Sequence, residues 1–112
     1  RSVEPNGIHL STAIDVFAKC GLPERSEEWL RGMKGRRVAP DEVSYNSVIG
    51  AHARACDVMK AECWFEEMCR DGVEPSAVSC SGVINACARA GEPGRAERWL
   101  GRMEEASVEA DV

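Results

Sequence analysis

Six cysteines, at positions 20, 56, 63, 69, 80 and 87, and two histidines, His9 and His52, have the widest chemical reach in this chain. Thiolates and imidazoles can ligate a metal, pair as disulfides or act as nucleophile and base. Their spacing supports none of these. No Cys-x-x-Cys pair occurs, and the two histidines are too scattered to complete a ligand set or to activate a thiol. The cysteines are expected to be reduced and to act as small apolar fillers. No glycine-rich phosphate loop is present either. No catalytic residue, no metal, no cofactor and no small-molecule substrate are therefore expected. Another set of reactive charges is spaced more regularly: Lys19, Arg54 and Arg89 stand 35 residues apart. An inert surface has little reason to repeat a cation at one phase.

That interval governs the whole chain. All three tryptophans, Trp29, Trp64 and Trp99, share it, as do Ile14, Ile49 and Ile84, Ala18, Ala53 and Ala88, and Met33, Met68 and Met103. Val3, Val38, Val73 and Val108 form a further column, and Pro5, Pro40 and Pro75 another, which Ala110 breaks. A fixed period of this length is the mark of a solenoid, in which each unit buries its apolar face only against its neighbours. The units read as 7–41, 42–76 and 77–111, with 1–6 as the end of a preceding unit and residue 112 as the start of a truncated one.

Each unit carries two helical patterns. Tyr45, Val48, Ile49, His52 and Ala53 follow the i, i+3, i+4, i+7, i+8 spacing of one helix face, and Ala61, Trp64, Phe65 and Met68 that of a second. Gly21, Cys56-Asp57 and Gly91 mark the break between the two, and Pro23 and Pro93 suit the first turn of the helix that follows. Gly72-Val73-Glu74-Pro75 marks the longer turn between units. The expected fold is all-α, a right-handed α-solenoid of helix-turn-helix repeats. Its tryptophans should lie on the buried face of each second helix, where burying one contributes about 2–3 kcal/mol.

The stretch VSYNSVIGAHARACDVMKAECWFEEMCRDGVEPS (43–76) resembles the pentatricopeptide repeat family, in its P-type 35-residue form. The resemblance is carried by VSYNSVI on the first helix, the Ala-x-x-x-x-Met end of the second, and GVEP before the next unit. VSCSGVINACARAGEPGRAERWLGRM (78–103) is similar, and IHLSTAIDVFAKCGLPERSEEWLRGM (8–33) is a weaker copy.

The resemblance implies single-stranded RNA binding with one base read per repeat. Carried over residue by residue, the base readers are the fifth and last residues of each unit: Ser11 with Asp41, Asn46 with Ser76, and Ser81 with Asp111. Ile8, Val43 and Val78, second in each unit, would wedge between bases, and Lys19, Arg54 and Arg89 would stand near the phosphate backbone. By the family's habits, Ser with Asp favours guanine and Asn with Ser a pyrimidine, giving G–pyrimidine–G in the 5′ to 3′ direction. Small hydroxyl, amide and carboxylate groups suit a base edge on physical grounds as well. The family also implies a mitochondrial or chloroplast location and work in processing, stabilising, editing or translating organelle transcripts.

Plainer roles compete at each position. The six reading residues could be first-turn polar groups and helix caps, the three aliphatics could be buried staples, and the cations could complement helix C-termini. A net charge of −5 argues against non-specific nucleic-acid binding and favours the alternative of a scaffold docked on other protein subunits. The acidic runs Glu27-Glu28, Glu66-Glu67 and Glu104-Glu105 are expected on a solvated outer face, which would reconcile that charge with a basic inner column. No apolar run reaches the roughly 18 residues that membrane insertion requires. The chain starts at Arg1 without a charged-then-apolar leader and is expected to be a piece of something longer.

Overall fold

The computed structural model describes residues 7–111, with side chains described over 10–105. Residues 1–6 and 112, read above as parts of flanking units, lie outside it. The described residues form six helices and no strand: α1 (Gly7–Lys19), α2 (Pro23–Gly35), α3 (Glu42–Arg54), α4 (Val58–Arg70), α5 (Ala77–Arg89) and α6 (Pro93–Asp111). They pair as three antiparallel hairpins stacked into an all-α solenoid measuring 52 × 33 × 18 Å.

Helix ends follow from local chemistry. Asp41 caps α3 by accepting from the Ser44 amide at 3.0 Å, Asp57 caps α4 through the Lys60 amide at 3.2 Å, and Ser76 forms a capping box with Ser79 on α5. Pro23 and Pro93 open α2 and α6. At the tight turns Gly21, Cys56 and Gly91 share one left-handed conformation, with φ of 75°, 63° and 72°. There the amides of Leu22, Asp57 and Glu92 reach back to the carbonyls of Phe17, His52 and Cys87 at 2.9 Å, closing each first helix in a Schellman motif. The longer turns repeat the device at Arg37 and Gly72, with Val38 and Val73 donating to the Met33 and Met68 carbonyls at 3.0 Å. That motif pairs an apolar residue just past the helix with one in its last turn. This explains why valine and methionine recur at those two phases.

The helices lie in two layers. α3 packs directly on α1 and α5, whereas α2 and α4, or α4 and α6, bring no pair of Cα atoms within 8 Å of each other. Small residues close the inner layer: a Cβ on Gly82 of α5 would stand 3.0 Å from the Ile49 Cγ2 of α3. Bulky side chains splay the outer layer. One continuous core runs through all three hairpins, from Leu10, Ile14 and Leu30 through Tyr45, Ile49, Trp64, Phe65 and Met68 to Val83, Cys87 and Trp99.

Three expectations require correction. Trp64 and Trp99 are buried, but Trp29 is half-buried and stacks on Phe17, because no described helix covers its outer side. The cysteines are fillers only at Cys87 and partly at Cys80; Cys20, Cys56, Cys63 and Cys69 are exposed. Glu27 does not share the solvated face of Glu28. It is 6% exposed, held between α2, α3 and α4 by the Trp64 indole at 3.1 Å, His52 Nε2 at 3.0 Å and Lys60 at 3.1 Å, with Arg31 on its own helix also at 3.1 Å. Burial pushes its carboxyl up, and the hydrogen bonds from Trp64 and Lys60 outweigh this and hold it below the ordinary value.

Candidate nucleic-acid interface

The inner layer presents its first helices along an open groove of about 560 Å³. Lys19, Val43, Asn46, Arg54, Val78 and Ser81 all line it, together with Asp15 and Asn85. A smaller hollow of about 280 Å³ continues past Ser11, Asp41 and Val43. Eight of the twelve residues singled out in the sequence therefore converge on one face. Arg89 and Ser76, at the C-terminal end and N-cap of α5 respectively, belong to the same layer. The side chains of Ile8 and Asp111 lie outside the described residues.

Of the pairs expected to read bases, Ser11 and Asp41 meet directly across the stacked hairpins, the start of one first helix against the cap of the next. Ser11 Oγ lies 3.5 Å from Asp41 Oδ1. Beneath both sits Ser44, fully buried, with its hydroxyl 2.8 Å from Ser11 Oγ and 2.9 Å from Asp41 Oδ1. The carboxylate can only accept, and Ser44 makes the shorter contact to it, 2.9 Å against 3.5 Å, so Ser44 donates to Asp41 and its oxygen is left to accept from Ser11. Asp41 spends Oδ1 on this network and on its helix cap, and Oδ2 has no partner among the described residues. The exposed edge of this pair is made of acceptors.

The second pair is built on the same plan with the opposite polarity. Ser79, also fully buried, donates to Asn46 Oδ1 and accepts from the Ser76 amide at 3.3 Å, with Ser76 Oγ 3.5 Å away. The amide oxygen of Asn46 is thus engaged below, and its Nδ2 faces outward, 3.3 Å from the exposed Glu42 carboxylate. Neither Ser44 nor Ser79 was singled out from the sequence, although their 35-residue spacing was there to be seen.

Val43 and Val78 are 56% and 64% exposed in the first turns of α3 and α5, so they are not buried staples. The cations differ in their present partners. Lys19 pairs with Asp15 at 3.1 Å on its own helix, Arg54 Nη2 donates to the Ala18 carbonyl at 2.8 Å across the inner layer, and Arg89 is exposed. The Arg54 contact fulfils the helix C-terminus role weighed above, while its chain still borders the groove. Among the described residues no cluster of three or more metal-ligating side chains occurs, and no helix is long and apolar enough to cross a membrane.

Comparison with known proteins places this geometry in context. The profile of the PPR repeat family matches residues 40–89, and that of the PPR repeat matches residues 8–38 and 78–108. No curated protein sequence matches the chain. Among solved structures it is similar to the pentatricopeptide repeat protein PPR10 in complex with an 18-nt psaJ RNA element, at 25% identity and a TM-score of 0.84, over 95% of this chain and 16% of that one. The crystal structure of the pentatricopeptide repeat protein PPR10 from maize gives 24% and 0.79 over 96% and 16%. The PPR domain of Arabidopsis thaliana protein-only RNase P 1 in complex with tRNA gives 18% and 0.81 over 95% and 55%. The chain thus spans 16% of the length of PPR10 and 55% of that domain.

Proposed function

The chain belongs to the pentatricopeptide repeat family, and from that premise we propose that its inner face binds single-stranded RNA, one base per unit, across units 7–41, 42–76 and 77–111. The observation that carries this reading is the contact of Ser11 with Asp41, and the link of Asn46 to Ser76 through Ser79, each over a buried serine and beside an exposed valine. Donors and acceptors otherwise satisfied by water are held in place there, and an apolar side chain stands where a base could stack. The likeness to PPR10, whose structure holds an RNA element, supports the same reading.

The acceptor edge of Ser11 and Asp41 suits a base offering adjacent N–H groups, as guanine does on its Watson–Crick edge. The outward Nδ2 of Asn46 suits a base with an acceptor there, as a pyrimidine carbonyl provides. Ser81 with Asp111 would repeat the first choice, giving G–pyrimidine–G from 5′ to 3′. Ile8, Val43 and Val78 would separate the bases. Lys19, Arg54 and Arg89 would meet phosphates, Lys19 and Arg54 by exchanging their present partners. Within a longer protein these units would contribute three bases to the recognition of an organelle transcript that the protein processes or stabilises, in a mitochondrion or chloroplast.

Fluorescence anisotropy tests this directly. Short single-stranded RNAs with GCG or GUG cores should bind more tightly than an AAA control, and the preference should move at the central base on Asn46→Ser. A folded chain with no preference at any salt concentration would sink the base-reading role and leave the protein-scaffold alternative.

A further inference from the structure

Two fully buried hydroxyls, those of Ser44 and Ser79, lie directly beneath the proposed readers, and no role in binding has been given to them. Both stand at the third position of their unit, and both join the reader of one hairpin to the cap of the next. Each hydroxyl has one proton, and the two chains direct it to different places. Ser44 gives its proton to Asp41 Oδ1 at 2.9 Å and is left to receive that of Ser11 at 2.8 Å. Ser11 Oγ, 2.8 Å away, is the competing acceptor for that proton, and the charged carboxylate is the stronger of the two; Met33 Sδ lies farther off, at 3.8 Å. Ser79 gives its proton to Asn46 Oδ1, while its oxygen takes the Ser76 amide.

We propose, on the basis of the base-reading function above, that Ser44 and Ser79 are positioning residues that fix the hydrogen-bonding polarity of each reader without touching RNA. Ser44 consumes the Ser11 proton and so turns Ser11 and Asp41 into a purely accepting edge. Ser79 occupies the Asn46 oxygen and so locks the amide with its Nδ2 outward. Without the anchor, an asparagine amide can flip and present either its donor or its acceptor, and a serine hydroxyl can rotate to donate. The third-position hydroxyl would then determine how sharply each unit discriminates among bases, while the fifth and last residues determine which base is preferred. Burial strengthens this control, since water cannot replace the missing partner at a fully buried oxygen.

The test uses the 112-residue chain and two RNA sets, varied at the nucleotide facing unit 7–41 or at that facing unit 42–76. Ser44→Ala should shrink the affinity spread among the four bases at the first nucleotide by about ten-fold, the worth of roughly one hydrogen bond to a charged group, and leave the second unchanged. Ser79→Ala should do the converse, and Ser44→Thr and Ser79→Thr should restore the spread. A loss of affinity uniform over all RNAs, unrepaired by threonine, would mark the serines as structural supports only and overturn the proposal. So would an unchanged spread in a variant that melts like the wild type. Absence of any base preference in the wild type would instead remove the reading function itself, and this role with it.

Discussion

The Trp64 indole nitrogen donates to Glu27 Oε1 across 3.1 Å, and one period later the Trp99 indole nitrogen donates to Glu62 Oε2 across 2.8 Å. A cation completes each pair, Lys60 at 3.1 Å from Glu27 and Arg95 at 2.6 Å from Glu62. The outer helices, too far apart for backbone contact, are thus joined by a recurring clasp of carboxylate, cation and indole. At Glu27 this clasp is buried, so removing one partner leaves a charged oxygen short of a donor. Trp64→Phe, which keeps the ring and deletes the donor, should cost about 1.5–3 kcal/mol in urea unfolding. Paired with Glu27→Gln in a double-mutant cycle, it should show a coupling of about 1 kcal/mol or more. Additive effects would mean that the indole contributes only its apolar surface.

Acid should weaken the stack. Hydrogen bonds from Lys34 hold the Glu67 carboxyl low against burial, and those from Lys34 and Tyr45 do the same for Asp71; Glu27 is low for the reasons given above. A carboxyl whose folded-state pKa is depressed contributes stability that is present above its unfolded value, 4.5 for the two glutamates and 3.8 for the aspartate, and is lost as pH falls through the folded value. Stability measured from pH 7 to pH 3 should therefore be level at first and fall below about pH 4.5. The combined Glu27→Gln and Glu67→Gln variant should show a shallower fall. An equally steep decline in that variant would assign acid sensitivity elsewhere.

Cys56 occupies a conformation that Gly21 and Gly91 hold in the other two hairpins. A left-handed backbone costs a residue with a Cβ about 1–2 kcal/mol, part of which glycine returns in unfolded-state entropy. Cys56→Gly should raise stability by about 0.5–1 kcal/mol, and thermal denaturation should show the midpoint a few degrees higher. A lower midpoint would mean that the exposed thiol makes a contribution its surroundings do not suggest.

If Lys19, Arg54 and Arg89 each meet one phosphate, log affinity for RNA should fall with log salt at a slope of about −2. Arg89→Ala should reduce that slope by about 0.7 while leaving the order of base preference unchanged. Loss of base preference without a change of slope would relocate Arg89 from backbone contact to base contact.

The architecture was legible in the sequence because both its turns and its core are periodic: Val38 and Val73, and Trp64 and Trp99, each take the same structural role one period apart, as Gly21 and Gly91 do two periods apart. What stayed hidden depends on a neighbour far along the chain. Glu27 reads as half of an acidic surface pair, and only Trp64 and Lys60, more than thirty residues later, make its site a buried one. Ser44 and Ser79 read as ordinary first-turn serines until Ser11 and Asn46 of the preceding hairpin are brought over them. Of the exposed cysteines, Cys20 and Cys56 lie in the tight turns that follow α1 and α3, and Cys63 and Cys69 on α4, an outer helix.

The bridge from Ser11 through Ser44 to Asp41 spans the boundary at residue 42. If these pairs read bases as proposed, the folding module and the reading module are out of phase: the hairpin that begins at residue 42 carries the floor of its predecessor's reader and leaves its own behind. A hairpin 42–76 swapped at that boundary would carry Asn46 and Ser76 but leave Ser79 behind. A splice moved past Ser44, or Ser79 one unit on, would carry each reader with its floor intact, so shuffling of such arrays is free in sequence only where the cut respects the offset.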